Sequence, residues 1–478
     1  MRVKLPYGCG FQTLDIDDGA DVEVLSSNAG KAFQESDGNR DEDRIVREAM
    51  ASPTGSPRLA ELARGARNAV IICSDHTRPV PSRKIIPHML EEIRNGNPNI
   101  QVTLLVATGT HRAPSRAELE QKFGAEIVQS ETIEIHDCKN LRSMRNIGRL
   151  PSGAGLVING VAAGTDLLVA EGFIEPHFFA GFSGGRKSVL PGICAYETVL
   201  GNHCAAFIAD PAARTGVLAG NPIHRDMLAA QRLARLAYIV NVIIDNDKRV
   251  VKAFAGDAEK AHARGCDALA ALCRVKPGRK ADIVITTNGG APLDLNIYQA
   301  VKCMTAAEAA AAPGAVIVAL SECWDGAGGS SFYSMMSECE SPETLLDAIK
   351  RVPMDKTSED QWQAQILARI LIAHPVILVC APGARAIAEK MKLLTAGGVD
   401  EALDYARNLL RDKSAATTRR RADVPGIAPN IGEPDAAPHA GEPSITVIPD
   451  GVSVIVDSLP APDMGCGRSG DASPVLSI

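Results

Sequence analysis

Short runs of apolar, β-branched residues alternate along this chain with longer stretches whose apolar positions recur every three or four residues. Asn68–Ser74 (NAVIICS) is one such run, Ser82–Gly96 has the helical spacing, and 101–108 (QVTLLVAT) is a second run. Strand, helix and strand at this spacing form a βαβ unit, and strands so uniformly apolar belong in a parallel sheet covered on both faces. The pattern predicts further strands at 166–170 and 236–245 and helices at 196–209 and 225–235. A basic Pro/Gly stretch at 276–280 (KPGRK) reads as a hinge. Beyond it the alternation restarts, with strands at Ala281–Thr287, 314–321 and 374–380. Helices are predicted at 296–312, 342–351 and Gln361–Ala373, and a helical pattern continues to Leu410. The predicted fold is therefore α/β: two α/β domains, 1–275 and 276–411, with mainly parallel sheets and an active-site cleft between them. Residues 412–443 are Arg-rich, then rich in Pro, Ala and Gly, the composition of a disordered linker. In the tail, 444–478, the segment SITVIPDGVSVIVDS predicts a hairpin about its PDG turn.

Composition narrows the function more than the fold. The 478 residues allow several domains of about 150 residues each. A formal charge of −7 leaves no broad basic surface for nucleic acid or an anionic membrane, so an anionic ligand has to be met by local Arg and Lys. The twelve cysteines are scattered without a C-x-x-C pair, which argues against a structural zinc site or a redox dithiol. The first residues lack a charged segment followed by an apolar one, and no window approaches a membrane span, so the expected location is cytoplasmic.

The chemistry concentrates in EPHFFAGFSGGRK at residues 175–187, followed by SVLPG and by GNH at 201–203. Glycines let backbone N–H groups approach an anion, a desolvated lysine amine is a nucleophile, and a neutral imidazole is a proton shuttle or metal ligand. A P-loop does not fit, because Arg186 rather than Gly precedes Lys187 and Pro191-Gly192 soon interrupts any helix. Other polar motifs follow predicted strands: SDHTRPVP at 74–81, GTHR at 109–112, EGFIEPH at 171–177 and NGGAPLDLNIYQAVK at 288–302. Ligands of open α/β sheets bind beyond the carboxyl ends of strands, so these four loops are predicted to converge on one cleft.

These motifs, in this order from about Met1 to Leu410, resemble the nickel-dependent lactate racemase family. The resemblance implies that Lys187 carries, through a thioamide, a pyridinium-3,5-bisthiocarboxylic acid mononucleotide that holds nickel as a pincer. His203 would be the one protein ligand to nickel, a sensible partner for Ni(II) beside soft sulfur. His111 and His177 would exchange the roles of general base and general acid while the C2 hydrogen of a 2-hydroxy acid moves reversibly as hydride. A hydride route avoids piling a second negative charge onto a carboxylate. Asp75, His76, Thr77 and Arg78 would border the cofactor, His76 without a catalytic role of its own. Arg78 would also reach the substrate, which Tyr298, Gln299 and Lys302 would bind from the second domain. Enzymes that build the cofactor would be partners, and lactate is the default substrate, with malate, a sugar acid or a larger hydroxy acid left open.

Each residue has an ordinary reading beside this one. Lys187 taken alone is a surface lysine by a loop, His203 a helix-surface imidazole, and His111 and His177 hydrogen-bonded structural histidines. Arg78 is a surface ion pair, and Tyr298 with Lys302 one face of an amphipathic helix. Two further functions stay open from the residues: a zinc hydrolase or lyase held by His111, His177 and His203, and a cofactor-binding protein without turnover.

Overall fold

The structure, a computed structural model, describes residues 1–17, 19–28, 41–245, 247–422 and 442–457, with the side chains of 414–422 excepted. Two six-stranded sheets organise it. The first runs in the order Val250–Gly256, Leu236–Ile244, Leu167–Phe173, Asn68–Ser74, Gln101–Ala107, Thr132–Ile135. All its neighbours are parallel except the first pair. Leu167–Phe173 is buried at every position, as a strand covered on both faces must be.

The second sheet runs Leu394–Ala396, Val376–Val379, Ala311–Leu320, Ala281–Thr287, Ile445–Ile448, Val22–Val24, all parallel. It therefore takes strands from both sides of residue 275. The opening hairpin, Arg2–Tyr7 with Gly10–Asp15, also packs here, burying Leu5 and Leu14 with Ile283 and Ile285.

Three expectations are corrected. The hairpin about PDG does not form: Ile445–Ile448 inserts as a parallel strand between Ala281–Thr287 and Val22–Val24, and Ile455–Val456 pairs in parallel with Arg274–Val275. All four residues of ITVI are buried, a two-faced pattern that a solvent-exposed hairpin cannot satisfy. The helix Val399–Ala422 runs eleven residues into the stretch expected to be linker, where no Gly or Pro stops it before Pro425; positions 423–441 of that stretch lie outside the described residues. The helix expected over 196–209 is two, Tyr196–Asn202 and Ala205–Ala209, and the break places His203 at the C-cap of the first. Among the described residues no helix is long and apolar enough to cross a membrane.

Candidate functional site

Beyond the strand Asn68–Ser74 the chain turns sharply, and Asp75 is buried at the turn. Its Oδ1 accepts hydrogen bonds from the Thr77 amide at 3.1 Å and the Thr77 hydroxyl at 2.7 Å. Its Oδ2 lies 2.7 Å from Nδ1 of His111, which follows the neighbouring strand Gln101–Ala107. Burial opposes the charge on Asp75, but the hydrogen bonds from His111 and Thr77 and the nearby Arg78 outweigh it and hold the carboxyl below its ordinary value. An ionised carboxylate at Nδ1 fixes the His111 proton there and leaves Nε2 as the basic nitrogen. Lys122, from the helix Arg116–Phe123, braces the turn by donating to the carbonyls of Arg78 at 2.7 Å and Val80 at 3.2 Å.

The strand Leu167–Phe173 leads into the glycine-rich segment. Pro176–His177 pairs with Gly181–Phe182 in a minimal hairpin, and Gly184 follows at φ +74°. A Cβ on Gly184 would stand 2.7 Å from Asn241 Oδ1 and 2.8 Å from the Phe173 carbonyl, so only glycine fits. Asn241 Oδ1 accepts from the Gly185 amide at 2.7 Å, which fixes the turn Gly185–Ser188 carrying Lys187. Part of Lys187 faces the cavity, but its amine lies deep in the molecule. Burial, then the charges of Arg186 and Arg78, push its ammonium well below the usual lysine range, with Glu175 opposing. Burial likewise, with Lys187, Lys302, His203 and Arg78 around it, pushes His177 well below its ordinary value. The Ala180 amide donates to His177 Nδ1 at 3.3 Å, so the neutral ring carries its proton on Nε2.

His203 is buried between two aromatic edges: Phe179 with ring centres 5.1 Å apart, and Trp362 at 5.0 Å. Its Nδ1 lies 3.1 Å from the Val199 carbonyl and donates to it, leaving Nε2 with a lone pair. Burial and then Lys187 lower its imidazolium to about 3. Trp362 opens the helix Gln361–Ala373, and its indole Nε1 donates to the Tyr298 hydroxyl at 3.0 Å. Tyr298, Gln299 and Lys302 lie on the helix Ile297–Ala310, whose first turn is capped by Asn296 accepting from the Gln299 amide at 3.0 Å. Burial lowers Lys302 to about 8 despite Glu175, and Arg78 adds to the lowering.

All four motif loops line one cavity of about 270 Å³, and so do Asp75, Arg78, His111, His177, Lys187, His203, Tyr298, Gln299 and Lys302. Thr77 is exposed and outside the cavity lining, bonded to Asp75 and 3.2 Å from His111 Nδ1. His76 is turned out of the cavity; it lines an adjoining hollow with Glu118, Gln121 and Lys122, its Nε2 3.8 Å from Glu118. The sequence did not single out the aromatic wall of Phe178, Phe179 and Trp362, the brace Lys122, or Glu171, whose Oε1 accepts from the Ser74 amide and from the hydroxyls of Ser74 and Ser82. The paired Phe178-Phe179 beside His177 was a signal; Trp362 had none.

The donor set fits a group that brings its own metal donors. Lys187 offers a buried amine held towards neutrality, and His203 one imidazole lone pair. Among the described residues no three His, Cys, Asp or Glu side chains are grouped as a metal would need, so a zinc ion held by protein alone has no ligand set.

The chain resembles known proteins over almost all its length. A family model described as the lactate racemase N-terminal domain matches residues 7–216, and one described as the lactate racemase C-terminal domain matches 276–419. A lactate racemase of Thermoanaerobacterium thermosaccharolyticum is 46% identical over 455 residues, covering 95% of this chain and 99% of that one. The lactate racemase of Lactiplantibacillus plantarum is 44% identical over 456 residues, covering 95% and 100%. The structure of the lactate racemase apoprotein from T. thermosaccharolyticum superposes with a TM-score of 0.85 at 45% identity, over 96% of this chain and 100% of that one. A Thermotoga maritima protein, 16% identical with a TM-score of 0.58 over 87% of this chain and 98% of its own, shares the fold alone.

Proposed function

Because the chain belongs to the lactate racemase family, we propose that it inverts the C2 centre of lactate by reversible removal and return of hydride, using a nickel-pincer nucleotide tethered to Lys187. The observation that carries this is the meeting of two unlike histidines, a lysine and a third, buried imidazole around one cavity. When bound, the nucleotide would supply an acceptor for the C2 hydrogen, so that the substrate passes through a planar 2-keto acid. Lys187 would hold it covalently and His203 Nε2 would complete the nickel coordination. Arg78 and Lys302 supply the cationic wall against which the substrate carboxylate would lie, with Gln299 beside them.

The proton steps belong to the chain's own residues. His111, with Nδ1–H held by Asp75, presents Nε2 to take the hydroxyl proton from one enantiomer. His177 keeps its proton on Nε2 while Nδ1 accepts from the Ala180 amide, and there it can hydrogen-bond the substrate oxygen. To act as base for the opposite enantiomer it has to give up that amide contact. The two histidines are therefore inequivalent before substrate arrives. Phe178, Phe179 and Trp362 line the cavity with apolar surface, which would limit water at the reacting centre.

The test is chiral analysis of cofactor-loaded protein incubated with a single lactate enantiomer in D2O. The expected result is inversion without deuterium at C2, since hydride returns to the carbon it left. Deuterium appearing at C2 would overturn the hydride route, and absence of inversion across lactate, malate and sugar acids would overturn the racemase reading.

A further inference from the structure

Arg186, the neighbour of Lys187, is 1% exposed, and among the described residues no carboxylate pairs with it. Its donors go to neutral acceptors: Nη2 to the Ala180 carbonyl at 2.6 Å, Nη1 to the Phe182 carbonyl at 2.8 Å, and Nε to His224 Nδ1 at 2.9 Å. Nη1 also lies 3.2 Å from His262 Nε2, itself 2.8 Å from the Ser183 carbonyl. Burial, with Arg186 next in order, holds both imidazoles low, His224 at about 4 and His262 at about 3, so neither competes for the charge. A buried guanidinium without a counter-ion is costly, and a chain that needed only to pin this loop could do so with a neutral side chain. What a neutral side chain cannot do is act electrostatically on the next residue.

We propose that Arg186 is a positioning residue: its buried guanidinium, bonded only to neutral acceptors, adds to burial in favouring the nucleophilic form of the Lys187 amine, and its hydrogen bonds clamp the hairpin that carries His177. A cation beside a desolvated lysine is a general way to free the nitrogen lone pair at neutral pH. The charged and titratable groups around Lys187 are Arg186, Arg78, Lys302, His177 and His203 on the cationic or neutral side and Glu175 on the anionic side. Arg78 and Lys302 line the open cavity, where a bound anion can offset them; Arg186 sits behind the wall, where none can reach. The purpose of this device rests on the reading of Lys187 as the cofactor's attachment point, but its operation does not.

Competitive acetylation of the full chain, purified without cofactor, tests it. The free amine attacks acetic anhydride, acetate leaves, and the amine proton passes to water; peptide mass spectrometry then compares Lys187 with exposed Lys276 across pH values from about 5 to 10, so that the midpoint falls inside the range. In the unaltered chain Lys187 should already react at its plateau rate near neutral pH. Arg186→Gln should shift the midpoint up by about one unit with an unchanged plateau, slowing the reaction about tenfold well below the original midpoint and about twofold or less near neutral pH. His224→Glu, which gives Arg186 a carboxylate partner, should shift the midpoint as Arg186→Gln does, and it decides the matter if that variant does not fold. A merely structural role would lower the plateau and leave the midpoint where it was; unmoved midpoints in the folded variants overturn the proposal. A fully active protein with Lys187 unmodified would refute the attachment reading while leaving the midpoints as they are.

Discussion

Asp75 governs one nitrogen of His111, and the smallest change that removes that control is Asp75→Asn. The amide can no longer hold a charge against Nδ1–H, so the imidazole loses the tautomer that leaves Nε2 basic. We expect kcat for lactate inversion to fall by about 10²–10⁴-fold with little change in KM or melting temperature, measured by chiral chromatography on the loaded protein. A variant within threefold or so of the parent rate would mean that His111 does not work through Asp75. At this scale the sequence was legible where a motif carried the residue and blind where direction mattered. Asp75, Arg78, His111 and Lys187 were readable as a set, yet nothing in SDHTRPVP says that His76 points away from the cavity. A loop has no period from which to read side-chain direction. Arg186 entered only as the residue that rules out a P-loop, because arginines are seldom buried and its neighbour Lys187 offered the more obvious chemistry.

The element that fixes the reacting groups is the turn from Ser183 to Ser188. Gly184→Ala should cost roughly 1–3 kcal/mol or more, because the new methyl meets the Phe173 carbonyl, which belongs to a fully buried strand and cannot yield. Gly153 has the same sign of φ, +91°, but open space where a Cβ would go. Gly153→Ala should therefore cost only the backbone term, about 1 kcal/mol. Thermal melts of the two variants separate strain from collision; equal losses would show that contact at Gly184 contributes nothing. Regular elements were the most legible part of the chain. Asn68–Ser74, Ala281–Thr287, Ser82–Gly96 and Gln361–Ala373 were read to the residue, because continuous β-branched runs and helical spacing are unambiguous at those lengths. The break before Cys204 was not, since apolar periodicity continues across it while the backbone leaves the helix to present His203.

For the whole molecule, two outcomes follow from how distant segments meet. Ending the chain at residue 441 removes Ile445–Ile448 and leaves Val22–Val24 without its neighbour and Ala281–Thr287 with an open edge. The shortened protein should be insoluble or lose several kcal/mol to denaturant; an unchanged denaturation midpoint would show that the strand is dispensable. Acid should also destabilise the fold. His224 and His262 are lowered from 6.5 to about 4 and about 3, chiefly by burial, so the folded chain leaves them unprotonated while the unfolded chain binds protons below 6.5. Their contribution is complete above pH 6.5 and is lost as pH falls towards those lowered values, at up to about 1.4 kcal/mol per unit for each. Glu175, Asp226 and Asp360, raised chiefly by burial, act in the opposite sense. His177 and His203, also lowered chiefly by burial, add in the same sense as His224 and His262, so urea titrations near pH 7.5 and pH 5 should differ by at least about 2 kcal/mol, and a flat profile would mean that the lowered histidines take up protons within the fold. The α/β class was legible in the alternation of runs, but the partners of 445–448 were not, because pairing across hundreds of residues leaves no local mark.

That late strand also sets a schedule for assembly. A ribosome delivers Val22–Val24 long before Ile445–Ile448, yet the two are neighbours in one sheet. The first sheet is complete once Gly256 has emerged, so it can form during synthesis. The second cannot, and Val22–Val24 has to remain unpaired until Ile445–Ile448 has emerged, leaving a vacant strand position that a holding chaperone would be suited to shield.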